Sequence, residues 1–263
     1  MSYENVHRLL EDLKLSGIQR VLDSSIQRWS KEDKDVMELV EELLLAQKKE
    51  NEQKRYQRDL QYSGLPFYKS LEEFDFAFQP SVDRKQVMNL KSLRFIHEKE
   101  NVVLLGPPGV GKTHIAVSLC LEAIREGHKA YFVNAITLID RLKKAFEERR
   151  LIKMLQYYKG VKLLVIDELG YLPLDTEGGK LFFELISQRY EYASTILTSN
   201  RSFTDWDKIF YDEVLASAVL DRLLHHSIIL NIRGKSYRLK EKQKVGLVNI
   251  QFSKESEPGN PQF

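Results

Sequence analysis

Eight consecutive residues carry the first chemistry: Gly106, Pro107, Pro108, Gly109, Val110, Gly111, Lys112 and Thr113 fit the pattern G-x-x-x-x-G-K-[ST]. The run follows the apolar stretch Val102 to Leu105 and opens a segment with helical apolar spacing. Between a buried strand and a helix, such glycines let backbone N–H groups turn inward around an anion. The helix then points its positive end at the same place. A lysine at this position reaches the β- and γ-phosphates of a nucleoside triphosphate, and the next hydroxyl ligates Mg²⁺. Lys112 and Thr113 are cast in those two roles. A chance Gly-rich turn would not need a strand before it and a helix after it.

Two further polar sites close apolar runs. "LLVIDE" ends in Asp167 and Glu168. Asp167 would hold Mg²⁺ through water, and Glu168 would align and polarise an attacking water as a general base. The competing reading is a solvated pair of loop carboxylates. "ILTSN" ends in Asn200, an amide able to orient the same water; by itself an Asn at a strand end is commonly a turn residue. Asp167 to Gly170 also reads as D-x-x-G, a GTPase element, but the chain contains no N-K-x-D run to read guanine. Nor does it offer an acceptor site for a small-molecule kinase.

The elements that must position these residues follow from periodicity. Strand-like runs at 102–105, 130–134, 162–166, 194–199 and 227–232 alternate with helical patterns. That alternation implies an α/β fold with a parallel sheet covered by helices on both faces. Residues 1–65 read as an all-helical unit. Gly17 is expected to break its first two helices, and Ser30 to cap a third with Asp33 three residues on. Val36, Leu39, Val40, Leu43 and Leu44 form an apolar stripe on that third helix. The polar run "KKENEQKRYQR" reads as a solvated helix face, or as a basic surface for DNA or a partner. Residues 66–80 read as a linker docked on the domain that fills 81–250, and 251–263 as a disordered tail.

Composition bounds the rest. Of 263 residues, 43% are hydrophobic and 30% charged, an ordinary globular balance. No apolar run reaches the roughly 20 residues of a bilayer span, and the N-terminus lacks a signal-peptide core. The expected location is the cytoplasm, with no membrane partner. Net charge is +2, so nucleic-acid binding has to come from local clusters. Cys120 reads as a small buried residue. His225 and His226, adjacent on a helix, would point about 100° apart and chelate poorly.

The glycine-rich turn, the Asp-Glu pair and Asn200, in that order, resemble the AAA+ ATPases. The resemblance implies ATP and Mg²⁺ as cofactors and a five-stranded sheet in the order 5-1-4-3-2. It also implies that Arg222 is an arginine finger completing a neighbouring subunit's site in a homo-oligomer. Read from the residues alone, Arg222 flanks an apolar stripe and could pair with Asp221 or Glu213. The chain after Ile232 is too short for a full C-terminal lid; its basic "RGKSYRLKEKQ" includes Arg238, a candidate contact to the γ-phosphate.

A closer resemblance rests on "LLGPPGVGKTHIAVSL", "LLVIDELGYLPLDTEGGKLFFELISQRYEYASTILTSN", "VLDRLLHHSIILNIRGKSYRLKEKQ", "LKLSGIQRVLD" and "FDFAFQPSVDRKQV". These segments resemble the IstB-type insertion-sequence ATP-binding proteins, relatives of the DnaC helicase loaders and, more distantly, of the DnaA initiators. The resemblance implies an ATPase that oligomerises on double-stranded DNA, bends it, and recruits or stimulates a separately encoded transposase. A helicase loader and a non-hydrolysing DNA scaffold are the alternatives. Lys143, Lys144, Arg149, Arg150 and Lys153 cluster in a helical segment over 136–155, which in this clade faces DNA. The competing reading is a solvated helix balanced by Glu147 and Glu148. No base-reading motif is present, so little sequence specificity is expected.

Overall fold

A computed structural model describes residues 3–31 and 35–244, with side chains through Lys240. Three helices come first: α1 (Tyr3–Asp12), α2 (Ser16–Trp29) and the 26-residue α3 (Val36–Gln61). The break between α1 and α2 is not at Gly17. It lies at Lys14, which adopts φ +56°, while the Leu15 N–H returns to the Leu10 carbonyl at 2.8 Å. Gly17 instead lies in the first turn of α2, against α3. A Cβ there would stand 2.7 Å from the Gln47 Cα, and the Gly17 N–H donates to Gln47 Oε1 at 2.9 Å. The glycine is used for close helix approach.

Two further expectations for this region are corrected. Ser30 closes α2 rather than capping α3, whose N-cap is Asp35, accepting from the Met37 N–H at 3.2 Å. Asp33 lies outside the described residues. The stripe on α3 is buried only in part: Leu39 and Leu43 are half-buried, whereas Val36, Val40 and Leu44 are exposed. Short helices α4 (Arg84–Leu90) and α5 (Arg94–His97) then lead into the sheet domain.

From here strands and helices alternate: β1 (Asn101–Leu105), α6 (Lys112–Arg125), β2 (Ala130–Asn134), α7 (Ala135–Glu147), α8 (Leu151–Lys159), β3 (Leu163–Leu169), α9 (Thr176–Arg189), β4 (Ser194–Ser199), α10 (Asp207–Phe210), α11 (Glu213–Leu224), β5 (Ser227–Asn231) and α12 (Tyr237–Lys244). The five strands are parallel and run β2-β3-β4-β1-β5 across the sheet, which is the expected order. Side chains alternate across each strand, so one strand feeds two cores. Val102, Leu104 and Val165 pack toward α6, while Val103, Leu105, Leu164 and Ile166 pack toward α7, α9 and α11. Cys120 lies in the first of these cores, and burial pushes its thiol up to about 12.

Residues of the 66–80 segment pack against the sheet domain. Leu71 and Phe74 belong to the core under α6. Ser118 donates to the Lys69 carbonyl at 2.8 Å, and just before the segment the Phe132 N–H donates to the Ser63 carbonyl at 2.7 Å. Its apolar side chains are what dock it. Arg189, at the end of α9, is 2% exposed and has no carboxylate partner among the described residues. It donates instead to the carbonyls of Tyr158, Val161 and Ser194, stitching α8 and β4 to α9. Burial lowers its guanidinium to about 9.

Candidate functional site

Strand β1 delivers the chain to Gly106 at the C-terminal end of the parallel strands, and α6 leaves from Lys112. Gly106 has φ +148°, and a Cβ there would stand 2.1 Å from the Ile232 carbonyl oxygen, so no side chain fits. Gly111 caps α6 without offering a side-chain acceptor. By contrast, α7, α9 and α11 are capped by the side chains of Asn134, Asp175 and Asp212. The first N–H groups of α6 therefore keep their capacity for an anion, reinforced by the helix dipole.

Lys112 is 9% exposed, and its ammonium donates to the carbonyls of Gly106 at 2.6 Å and Pro107 at 2.9 Å. Burial holds its pKa below the ordinary lysine value, against the pull of Asp167 and Glu168. Next to it, Thr113 Oγ1 donates to the Asp167 carboxylate, 3.0 Å from Oδ1 and 3.2 Å from Oδ2. Burial raises Asp167, and hydrogen bonds from Thr198 and Thr113 oppose that rise. A hydroxyl and a carboxylate this close are hard oxygen donors without nitrogen or sulfur, a set that suits Mg²⁺ and not zinc.

Glu168 is the exposed member of the acidic pair, with φ +62°. Strand β3 shifts register against β4 between Ile166 and Leu169, so the chain turns the two carboxylates to different tasks. Asp167 is buried against Thr113, whereas Glu168 lines the cavity and accepts from Asn134 Nδ2 at 2.8 Å. Asn134 is the last residue of β2 and was not singled out from the sequence. Its signal was available: a polar residue closing the apolar run "AYFVN", as Asp167 and Asn200 close theirs.

One cavity of about 640 Å³ is lined by Gly109 to Thr113, Glu168, Thr198, Asn200 and Arg238. Phe74 and Tyr237 close its other side. The chain after β5 is thus not a loose arm. The Tyr237 N–H donates to the Gly109 carbonyl at 2.9 Å, Gln79 Nε2 to the Lys235 carbonyl at 2.7 Å, and Lys240 to Asp75 at 3.1 Å. Helix α12 bridges the glycine-rich turn and the 75–81 segment, and brings Arg238 to the cavity.

Arg222 does not line this cavity. Among the described residues its partners are not Asp221 or Glu213. Its guanidinium lies 4.5 Å from the centroid of the Phe183 ring and donates to the Ala218 carbonyl at 3.2 Å. The basic segment is likewise not one helix. A Schellman motif ends α7: the Arg149 N–H donates to the Phe146 carbonyl at 3.0 Å and the Arg150 N–H to the Ala145 carbonyl at 2.7 Å. Arg149 takes the left-handed position, with φ +56°. Lys143 and Lys144 therefore lie on α7, Lys153 on α8, and Arg149 and Arg150 in the turn between. Lys143 is already paired with Asp175 at 2.6 Å, and Arg150 with Glu148. The histidines also differ from expectation. Helix α11 ends at Leu224, so the helical spacing does not apply, and the His225 and His226 ring centroids lie 4.1 Å apart, near Glu191.

The family model for IstB-like ATP-binding proteins matches residues 8–245. A protein of Pseudomonas aeruginosa named for ATP binding in insertion sequence IS21 is 46% identical over 240 residues, covering 91% of both chains. A counterpart from insertion sequence IS5376 of Geobacillus stearothermophilus is 43% identical over 240 residues, covering 91% of this chain and 96% of that protein. Among solved structures, DnaI superposes with a TM-score of 0.53 at 22% identity, covering 62% of this chain and 90% of that one. AMPPCP-bound DnaA from Aquifex aeolicus gives a TM-score of 0.53 at 21% identity, covering 71% of this chain and 58% of that one. Those two likenesses speak for the fold, an AAA+ P-loop architecture.

Proposed function

The chain belongs to the IstB-like ATP-binding protein family, and from that premise we propose that it is a Mg²⁺-dependent ATPase that helps transposition. It oligomerises on double-stranded DNA with little sequence specificity, and recruits or stimulates a separately encoded transposase. The observation that carries the reading is the meeting of Lys112, Thr113, Glu168 and Asn200 around one cavity at the open end of α6, with Asp167 bonded to Thr113 behind them.

Each residue then has a task. The N–H groups from Gly109 to Thr113 bind phosphate oxygens at the helix end. Lys112 exchanges its two carbonyl acceptors for the β- and γ-phosphates. Thr113 and Asp167 would hold Mg²⁺, which supplies charge neutralisation at the triphosphate when bound. Glu168 takes the proton of the attacking water, Asn134 orients the Glu168 carboxylate, and Asn200 aligns the water. Arg238 adds positive charge from α12. Arg222, remote from its own cavity, serves the site of the next subunit. Residues 81–250 act as the motor, 66–80 join it to the helical unit 1–65, and Lys143, Lys144, Arg149, Arg150 and Lys153 face DNA.

The cytoplasm is the proposed place of work, and among the described residues no helix is long and apolar enough to cross a membrane. The test is ATP turnover by the purified protein with Mg²⁺ or EDTA, with and without duplex DNA. Mg²⁺-dependent turnover that rises with DNA is the expected result. A protein that binds ATP on DNA without turning it over would instead be a non-hydrolysing scaffold. Stimulation of a replicative helicase's loading rather than of strand transfer would assign it to the loader branch.

A further inference from the structure

Thr198 lies within "ILTSN" but was given no role there, yet it touches both halves of the acidic pair. It is fully buried, two residues before Asn200 on β4. Its hydroxyl donates to Asp167 Oδ1 at 2.6 Å and accepts the Glu168 N–H at 2.9 Å. The second bond has a clear origin. With φ +62° and a register shift beside it, Glu168 has left the β3–β4 ladder, so its amide lacks a strand carbonyl. A buried amide without an acceptor is costly, and the Thr198 hydroxyl supplies one. Ser199 repairs the other side of the same irregularity by donating to the Leu169 carbonyl at 2.7 Å.

We propose that Thr198 is a positioning residue: one hydroxyl locks the cation-holding carboxylate of Asp167 to the backbone of Glu168. The inference rests on the nucleotide reading of the site. A hydroxyl has a single proton, and Asp167 takes it, so Thr198 acts on the cation only through that carboxylate. Asp167 receives two donors, Thr113 and Thr198, on its two oxygens. A Thr113 hydroxyl that ligated the cation through a lone pair would be drawn toward the ion by that bond, whereas Thr198, buried and bonded to the Glu168 backbone, would hold the Asp167 carboxylate from the protein side. The same bond fixes the Glu168 amide, so the geometry of the cation ligand and of the base is set together.

The experiment measures Mn²⁺ affinity in the ATP complex, by electron paramagnetic resonance of the free ion, for the wild type, Thr198→Val and Thr198→Ser. Valine keeps the shape and removes the hydroxyl. It should weaken Mn²⁺ binding by about 10–100-fold, the usual loss when a partner behind a metal ligand is removed. ATP affinity in EDTA should be unchanged, because Lys112 and the glycine-rich turn are untouched. Serine should restore the wild-type Mn²⁺ affinity. Should valine fail to fold, Thr198→Ala read against Thr198→Ser carries the same comparison. A valine variant with a lower melting temperature but wild-type Mn²⁺ affinity overturns the proposal, as does a serine variant that does not restore it. If the wild type adds nothing to the affinity of Mn²⁺ for free ATP, the nucleotide reading itself is wrong. That outcome is distinct from a variant that matches a working wild type.

Discussion

Two regions of the molecule behave in opposite ways. Thr113, Asp167, Glu168, Thr198 and Asn200 lie on three separate segments of the chain, yet they meet at the C-terminal ends of neighbouring strands. Lys143, Lys144, Arg149, Arg150 and Lys153 lie close together in sequence, yet they divide between two helices and a turn. Parallel strands end side by side about 4.8 Å apart, so residues closing successive strands converge whatever their separation in sequence. A helix has no such device. One left-handed residue redirects the chain, and sequence proximity stops meaning spatial proximity.

If the converging region is also shared between subunits, the largest effect belongs to a residue outside it. Arg222→Ala should retain ATP binding and lose about 10³–10⁵ in turnover. Mixed with Lys112→Ala subunits, it should regain part of the rate, because one interface then pairs an intact turn with an intact arginine. ATPase rate against mixing ratio, at constant total protein and with DNA present, gives a hump if the site is shared. A flat line, with mixed oligomers shown to form, removes Arg222 from that role.

Glu168→Gln comes next. It should bind ATP and lower turnover by about 10²–10⁴, the usual worth of a general base; normal turnover would assign the proton to another group. A smaller effect is expected from the diverging region. Neutralising Lys143, Lys144, Arg149 and Arg150 should flatten the salt dependence of DNA binding by about 0.9 in log–log slope for each phosphate no longer neutralised. Lys143→Ala alone should contribute least, because Asp175 already holds that ammonium. An unchanged slope in a salt titration would return the segment to a solvated surface. The smallest change lies far from either region. Gly17→Ala should cost about 1–3 kcal/mol through overpacking against α3, read as a lower unfolding midpoint with ATP affinity unaltered.

The sheet was legible because its central strands β1, β3 and β4 are buried on both faces and all five strands read as apolar runs. Their number and nearly all their bounds follow from that burial. The nucleotide site was legible because its residues sit in short motifs whose local backbone does the work. The roles of Asn134 and Thr198 were not, because each acts through hydrogen bonds to residues on another strand. Nothing in "AYFVN" or "ILTSN" names that partner. The helical unit was the least legible. Gly17 and Ser30 are both residues that commonly end or begin helices, and each found a different use in packing or at the opposite helix end.

The amino-acid sequence by itself determined the alternation of strands and helices, the glycine-rich turn, and the carboxylates and amide that close the strands. These depend on interactions within a few residues of the chain, where spacing is geometry. Only the tertiary structure decided that Asn134 holds Glu168, that Thr198 joins Asp167 to the Glu168 backbone, and that α12 closes the cavity. It also decided that the basic segment breaks at Arg149 and that Arg222 packs on Phe183, away from its own site. Those outcomes depend on which strand lies beside which and on where helices end in space. They are set by packing free energy summed over distant parts of the chain, which no local pattern records.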